Sequence, residues 1–174
     1  NFVVNRNNFN SWMTKQIDKA GADILDETVV RDLIIENQKA IGIQTDSLEF
    51  YADIVVISEG VKSILCKKAG LRKGELTPDE LYLFVEEVLE LPSKTIEERF
   101  ELETGQGVAG KFFPQEFFKL ESVGYFHTNK KSITIGVGVS FSDLIKNAIN
   151  INFCIEGIKI HPLFKDLIRG AETI

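Results

Sequence analysis

Cysteine and histidine are scarce in this chain of 174 residues, with two of each. Cys66 and Cys154 lie far apart and no Cys-x-x-Cys occurs, which excludes an internal iron–sulfur cluster and a cysteine-rich zinc site. His127 and His161 are too few for a histidine metal cage, so no metal ligand is assigned. So few thiols suit a reducing compartment. Positive charge is also short. A net charge of -6 argues against a nucleic-acid binder, because phosphate binding needs a basic face. No apolar run approaches the ~20 residues that span a bilayer. No stretch has the charged-then-apolar pattern of a secretion signal. Ser-His-Asp, His-Glu-x-x-His and P-loop patterns, internal repeats and low-complexity segments are absent as well. The opening "NFVVNR" reads as the middle of a longer polypeptide.

What is present is a core-forming composition. Hydrophobic residues make up 44% of the chain, and there are 13 Phe to supply aromatic mass. Phe9, Trp12, Met13, Ile17 and Ala20 fall at helical spacing, predicting a helix over 8–22 that Asn8 or Asn10 caps and Gly21 ends. Short strand-like pieces follow at 22–25, 27–36, 40–45, 48–52 and 53–57, separated by turn signals at Asn37-Gln38 and Asp46-Ser47. The run Val55–Ile57 is continuously apolar, as in a strand buried on both faces of a parallel sheet. A helix over 61–69 closes at Gly70. The polar stretch 72–80 then marks a boundary. Beyond it, strands are predicted at 81–91, 107–114, 123–128 and 132–140, with a hairpin turn at Asn129-Lys130-Lys131. Helices follow from Phe141 onward and after His161-Pro162. The fold class is therefore α+β, with a first unit over 1–71 and a second over 72–174.

Several stretches carry candidate chemistry. In "ADIVVISEGVKS" a strand runs into Glu59-Gly60 and then a helix start. Glycine admits close approach to the backbone, a helix start offers free N–H groups, and a carboxylate can accept hydrogen bonds from ribose or ribityl hydroxyls. Taken alone, the pattern favours an ordinary strand-to-helix turn with a solvated Glu. Arg6 sits just before the first helix, where a guanidinium suits a phosphate or a flat ring; alone it reads as a surface arginine. Gly136 and Gly138 alternate with Ile135, Val137 and Val139. That marks close approach by a ligand or, more simply, tight sheet packing. His127 has no acid–base partner nearby in sequence and reads as a hydrogen-bonded structural residue. The acidic runs "VEEVLELP" and "TIEERFELETG" read as solvated faces, with docking of a basic partner as the other option.

Taken in order, these pieces resemble FixC-type proteins and electron-transfer flavoprotein:quinone oxidoreductase, within the wider geranylgeranyl-reductase and aromatic-hydroxylase-like flavoproteins. "VVNRNNFNSWMTKQIDKAGADI" resembles the family's Arg-x-x-Phe-Asp-x-Trp-Leu helix with its Ala-Gly-Ala and strand. "ADIVVISEGVKSILCKKAGL" resembles its Ala-Asp-x-Val-Ile-x-Ala-Asp-Gly-x-x-Ser segment. "LELPSKTIEERFELETGQGVAG", "GYFHTNKKSITIGVGVSFSDL" and "HPLFKDLIRGAE" are similar to family stretches in the same order, and are the more specific ones. The resemblance implies that 1–71 is part of an FAD-binding domain and 72–174 a substrate or cap domain with an antiparallel sheet and flanking helices. It implies electron transfer through FAD, from an electron-transfer flavoprotein to a quinone or a ferredoxin-like protein. It implies FAD contacts at Arg6, Glu59 and Gly60, and a quinone side near Ser122, Val123 and Gly124. It names no catalytic acid or base. It implies a cytoplasmic protein, either free or in peripheral contact with a membrane. A reductase of isoprenoid lipids and a non-enzymatic partner-docking module remain as other readings.

The departures from the family pattern are specific. Glu59 stands where the family has Asp, and Ser122 and Val123 stand where the quinone enzymes have glycines. The strand–Gly-x-Gly-x-x-Gly–helix that holds a pyrophosphate is absent, as is the later Gly-Asp motif. The 174-residue chain is accordingly expected to retain no FAD tightly by itself. A stoichiometric flavin spectrum from the purified chain would refute that expectation.

Overall fold

This computed structural model describes residues 3, 4 and 6–174, with helices and antiparallel strands in an α+β arrangement. The chain divides into two compact units. One comprises residues 12–75, the other residues 76–174 with the N-terminal residues up to Ser11.

Helix α1 (Arg6–Lys19) begins ahead of Asn8 and Asn10, so both lie inside it and neither is its cap. The helix closes as its sequence suggests. The Ala20, Gly21 and Ala22 amides donate back to the Gln16, Asp18 and Ile17 carbonyls, and Gly21 takes φ +76°, a left-handed geometry free of penalty for glycine. An antiparallel meander follows: β1 (Val30–Glu36), β2 (Lys39–Thr45) and β3 (Glu49–Tyr51). Asn37 and Gln38 both have positive φ, 48° and 65°, as a two-residue hairpin turn matched to strand twist requires. At the second turn the Thr45 hydroxyl donates to the Leu48 carbonyl at 2.9 Å and accepts the Leu48 amide at 3.0 Å.

Two expected strands are not formed. Residues 22–25 and 53–57 belong to no ladder, and every described ladder is antiparallel. Val55–Ile57 is thus not a strand buried in a parallel sheet: Val56 within it is 81% exposed and Ile54 just before it 78%. The apolar pattern exists, but a strand needs a partner's backbone to complete it, and no described segment supplies one. The helix expected over 61–69 is interrupted. A 3-10 turn at Gly60–Lys62 leads to Ser63 at φ +50°, and only then to α2 (Ile64–Lys68), which ends before Gly70.

The other unit runs β4 (Tyr82–Glu90), α3 (Ser93–Arg99), β5 (Ala109–Phe112), α4 (Gln115–Phe118), β6 (Ser122–Thr128), β7 (Ser132–Ser140), α5 (Phe141–Asn147), α6 (Ile151–Ile160), α7 (Pro162–Lys165) and β8 (Glu172–Thr173). Its five strands are ordered β5-β6-β7-β4-β8, all neighbours antiparallel. The predicted turn joins β6 to β7, with the Asn129 amide donating to the Ser132 carbonyl at 2.7 Å. His161 starts α7 as its sequence suggests: its ring Nδ1 accepts the Leu163 amide at 3.2 Å, ahead of Pro162 in the first turn.

The pleat of β7 explains the core. Ile133, Ile135, Val137 and Val139 all point inward with 0% exposure, toward Ile96 of α3, Leu144 of α5, and Ile155 and Ile158 of α6. Burial of such a side chain stabilises by about 1.5–3 kcal/mol. The glycines in this sheet are explained by their cross-strand partners. Gly136 faces Tyr125 and Gly138 faces Phe84 on the outer side; Gly124 faces Phe112 and Gly110 faces Phe126 on the inner side. A Cβ at any of these positions would overlap the partner's ring. The close approach expected at Gly136 and Gly138 is thus made by aromatic rings of neighbouring strands, a way of filling the gap a strand glycine leaves.

The two faces should respond differently to substitution. Phe112 packs against Phe164 on the helix-covered side, ring centres 4.8 Å apart, whereas Tyr125 lies on the uncovered side. Gly124→Ala should therefore cost about 1–3 kcal/mol of unfolding free energy, the usual scale of overpacking, and Gly136→Ala less. Urea denaturation of both variants checks this, and equal losses would contradict it.

Candidate functional site

In the smaller unit, the acidic residue at the end of "ADIVVISEG" has a defined task. Glu59 Oε2 accepts the Leu65 amide at 3.0 Å and Oε1 the Cys66 amide at 2.8 Å. These are N–H groups of the first turn of α2, which a capping side chain normally serves. Ser63, in the cap position, does not serve them. Its hydroxyl donates to the Gly60 carbonyl at 3.0 Å and accepts from Arg72 Nη1 at 2.6 Å, and the same guanidinium nitrogen donates to the Val61 carbonyl at 2.9 Å. Glu59 and Arg72 thus pin the loop Glu59–Ser63 at both ends. Burial works against ionisation of Glu59, but the Leu65 and Cys66 amides and the Cys66 thiol outweigh it and hold the carboxyl below its usual range. Burial, joined by the Glu59 carboxylate, pushes the Cys66 thiol up, with Arg72 opposing, so Cys66 is no thiolate nucleophile.

Gly60 is the open point of this loop. It takes φ +72°, and nothing lies within 4 Å of where a Cβ would stand, so a ligand can approach the backbone there. Arg6 is exposed in the first turn of α1, in the other compact unit from Glu59 and Gly60. Ser122, Val123 and Gly124 are consecutive on β6, and the pleat separates them. Ser122 is buried on the inner side with its hydroxyl donating to the Leu120 carbonyl at 3.0 Å, and Gly124 lies under Phe112. Val123 alone shares the outer side with Tyr125 and His127.

That outer side holds residues that sequence reasoning missed. The Tyr125 hydroxyl donates to Glu86 Oε2 of β4, and the His127 ring stacks along the Tyr125 ring, with no side-chain hydrogen bond to it among the described residues. The available signal was the hairpin: the turn at 129–131 sets Tyr125 opposite Gly136, and glycine opposite an aromatic residue marks a ring lying across the strand. Nothing in sequence sets Glu86 on the far side of that glycine. Among the described residues no group of His, Cys, Asp and Glu converges as a metal-ligand set. No described helix is long and apolar enough to cross a membrane.

The described residues form an α+β protein in which a braced acidic–glycine loop and a five-stranded antiparallel sheet are the built features. Over nearly its whole length the chain is similar to proteins named FixC. It is 34% identical over 175 residues to Protein FixC of Azorhizobium caulinodans, covering 99% of this chain and 40% of that relative. It is 34% identical over 176 residues to Protein FixC of Azotobacter vinelandii, with 98% and 40% covered. The FixC of Escherichia coli is 30% identical over 173 residues, with 99% and 40% covered. The chain thus spans about two fifths of the length of these relatives. No family model matches it.

The Glu59 cap gives a pH signature. Because the folded carboxyl sits below its usual value of 4.5, its contribution is present above that value and is lost as pH falls through the lower folded value. Glu59→Gln should speed amide exchange at Leu65 and Cys66 at neutral pH and remove the acid-dependent part of that exchange. Unchanged exchange at these two amides would mean the carboxylate does not hold the helix start.

Proposed function

We propose that the protein is an FAD-dependent oxidoreductase of the FixC type. It receives electrons from an electron-transfer flavoprotein and passes them to a quinone or a ferredoxin-like acceptor. The observation that carries this reading is the 30–34% identity to proteins named FixC over nearly the whole chain, coincident with the ordered flavoprotein-like motifs. The Glu59–Gly60 loop fits the part. Gly60 leaves its backbone open, and the Glu59 carboxylate, accepting two amides and the Cys66 thiol, keeps one further acceptor position for a hydroxyl of a flavin nucleotide. FAD supplies the redox chemistry when bound. This chain supplies a fixed carboxylate at Glu59, a close backbone approach at Gly60, and at Arg6 a guanidinium suited to phosphate. The reading places the protein in the cytoplasm, where a quinone acceptor would bring it to a membrane surface.

A second reading, reduction of an isoprenoid lipid, draws on one feature. An apolar cavity of about 420 Å³ lies at the β5 edge, lined by Phe112, Phe113, Phe117, Ile158, Leu163 and Phe164. Such a reaction needs a long apolar tunnel. Product analysis with an unsaturated isoprenoid separates the two readings.

The full-length protein containing this chain should carry stoichiometric flavin that bleaches on anaerobic mixing with reduced electron-transfer flavoprotein. Gly60→Val adds a branched side chain at a left-handed φ and fills the open approach, and should weaken flavin retention roughly tenfold or more. A full-length protein without flavin, or one whose flavin ignores the reduced donor, would sink the proposal.

A further inference from the structure

The β5 edge of the five-stranded sheet is open among the described residues. Strand β5 ends the order β5-β6-β7-β4-β8 and pairs with β6 alone. The Thr128 amide donates to the Val108 carbonyl at 2.9 Å, which fixes the alternation along this ladder. Gly110 and Phe112 therefore bond toward β6, whereas Ala109 and Lys111 turn their N–H and C=O groups away from it. Both residues are exposed. Unpaired backbone groups in a row are a template for another extended strand. The apolar cavity of about 420 Å³ adjoins the same edge, with Phe112 and Phe113 in its wall. Phe164 closes it toward the core, and Phe113, Phe117 and Leu163 around it are 70%, 53% and 58% exposed. Exposed apolar side chains gathered round a cavity mark a site of interaction. Lys111 lies on the other, outer side of the sheet with Tyr125, and forms no ion pair among the described residues.

We propose that the β5 edge docks an extended segment of a partner protein, which joins the sheet as a further strand. An added strand turns successive side chains to opposite faces. Its residue paired with Lys111 lies on the outer side, where an acidic side chain answers the lysine. The adjacent residue turns to the inner side and, when aromatic, enters the cavity among the phenylalanines. Glu116, exposed in the cavity wall, disfavours a second acid there. The partner is thus recognised by an acidic residue next to an aromatic one in extended chain: backbone bonds supply affinity and the cavity supplies selection. Sheet edges are commonly guarded by lysine. Lys111 repels a basic strand, and it opposes pairing with a second β5, which would bring two such lysines together, but it attracts an acidic strand. Nothing in this surface depends on the flavin reading.

The test uses the full-length protein and one probe, an acetylated and amidated hexapeptide Thr-Val-Glu-Phe-Thr-Val, followed by NMR. In the free protein the Ala109 and Lys111 amides should exchange rapidly with solvent. The peptide should bind saturably and slow exchange at both by roughly tenfold or more. Serine in place of the peptide's Phe should weaken binding roughly tenfold, and N-methylation at its Glu should abolish binding. Lys111→Glu should weaken binding roughly fivefold at low salt and favour the peptide carrying Lys in place of Glu, with both differences shrinking at high salt. No saturable binding at about 1 mM peptide overturns the docking edge. So does binding indifferent to N-methylation, or protection of the Ala109 and Lys111 amides before any peptide is added, which would mean that the protein's own polypeptide fills the edge. Concentration-dependent dimerisation that the peptide competes away would give the edge to a second copy and overturn the partner assignment.

Discussion

The larger unit depends on the asymmetry of one strand. β7 sits between β6 and β4 and presents Ile133, Ile135, Val137 and Val139 to the helices while offering Thr134, Gly136 and Gly138 on its other side. The branched side chains fix register, because a slip by one residue would turn all of them to water. Once register is fixed, the glycines fall opposite aromatic residues of the flanking strands. The rings of Tyr125 and Phe84 then lie inward over β7, and this leaves Thr134, Gly136 and Gly138 buried although no described helix packs on that side. The alternation that makes the core therefore also makes a flat aromatic floor, and it sets the Tyr125 hydroxyl against a carboxylate two strands away.

The smaller unit solves a different problem. Its only apolar residue counted as buried among those described is Leu33, so its loop geometry has to come from polar contacts. The chain reverses through the left-handed Ser63, which takes that residue's hydroxyl away from the cap role and leaves the first amides of α2 unserved. Glu59 reaches them from six and seven residues back, with both oxygens used. The extra methylene relative to the family's aspartate lengthens that reach. Capping leaves the carboxylate with acceptor capacity to spare, since a carboxylate oxygen accepts more than one hydrogen bond.

Local patterns carried much of the fold into the sequence. The hairpin of β6 and β7 was legible because its turn and its alternation sit within one short stretch, and the meander because Asn37-Gln38 suits a two-residue turn. The run 53–57 misled for the converse reason: a strand is a relation between segments, and apolar content alone names no partner. The site was legible in part. Glu59-Gly60 stood out as a local oddity, though its capping role depended on an unforeseen break at Ser63. The family resemblance groups Ser122 and Gly124 with Val123, whereas the pleat turns these two to the core. The Tyr125–Glu86 contact joins residues 39 apart and exists only through the order β6-β7-β4, which no short window of sequence contains.

The two acceptor classes in the proposed function ask for opposite surfaces. A protein acceptor is steered by a broad patch of one sign of charge, and its electrons arrive without protons. A quinone needs little steering but must be given protons where its oxygens sit. The outer side of this sheet carries Lys111 on β5 against Glu86 and Glu90 on β4 and Glu172 on β8, with Glu121 bound by Tyr82 at its end. Such a face is predominantly acidic, and it also carries a hydroxyl hydrogen-bonded to a carboxylate in contact with water. On this side of the sheet the charge therefore suits a basic protein surface at least as well as a small, flat acceptor.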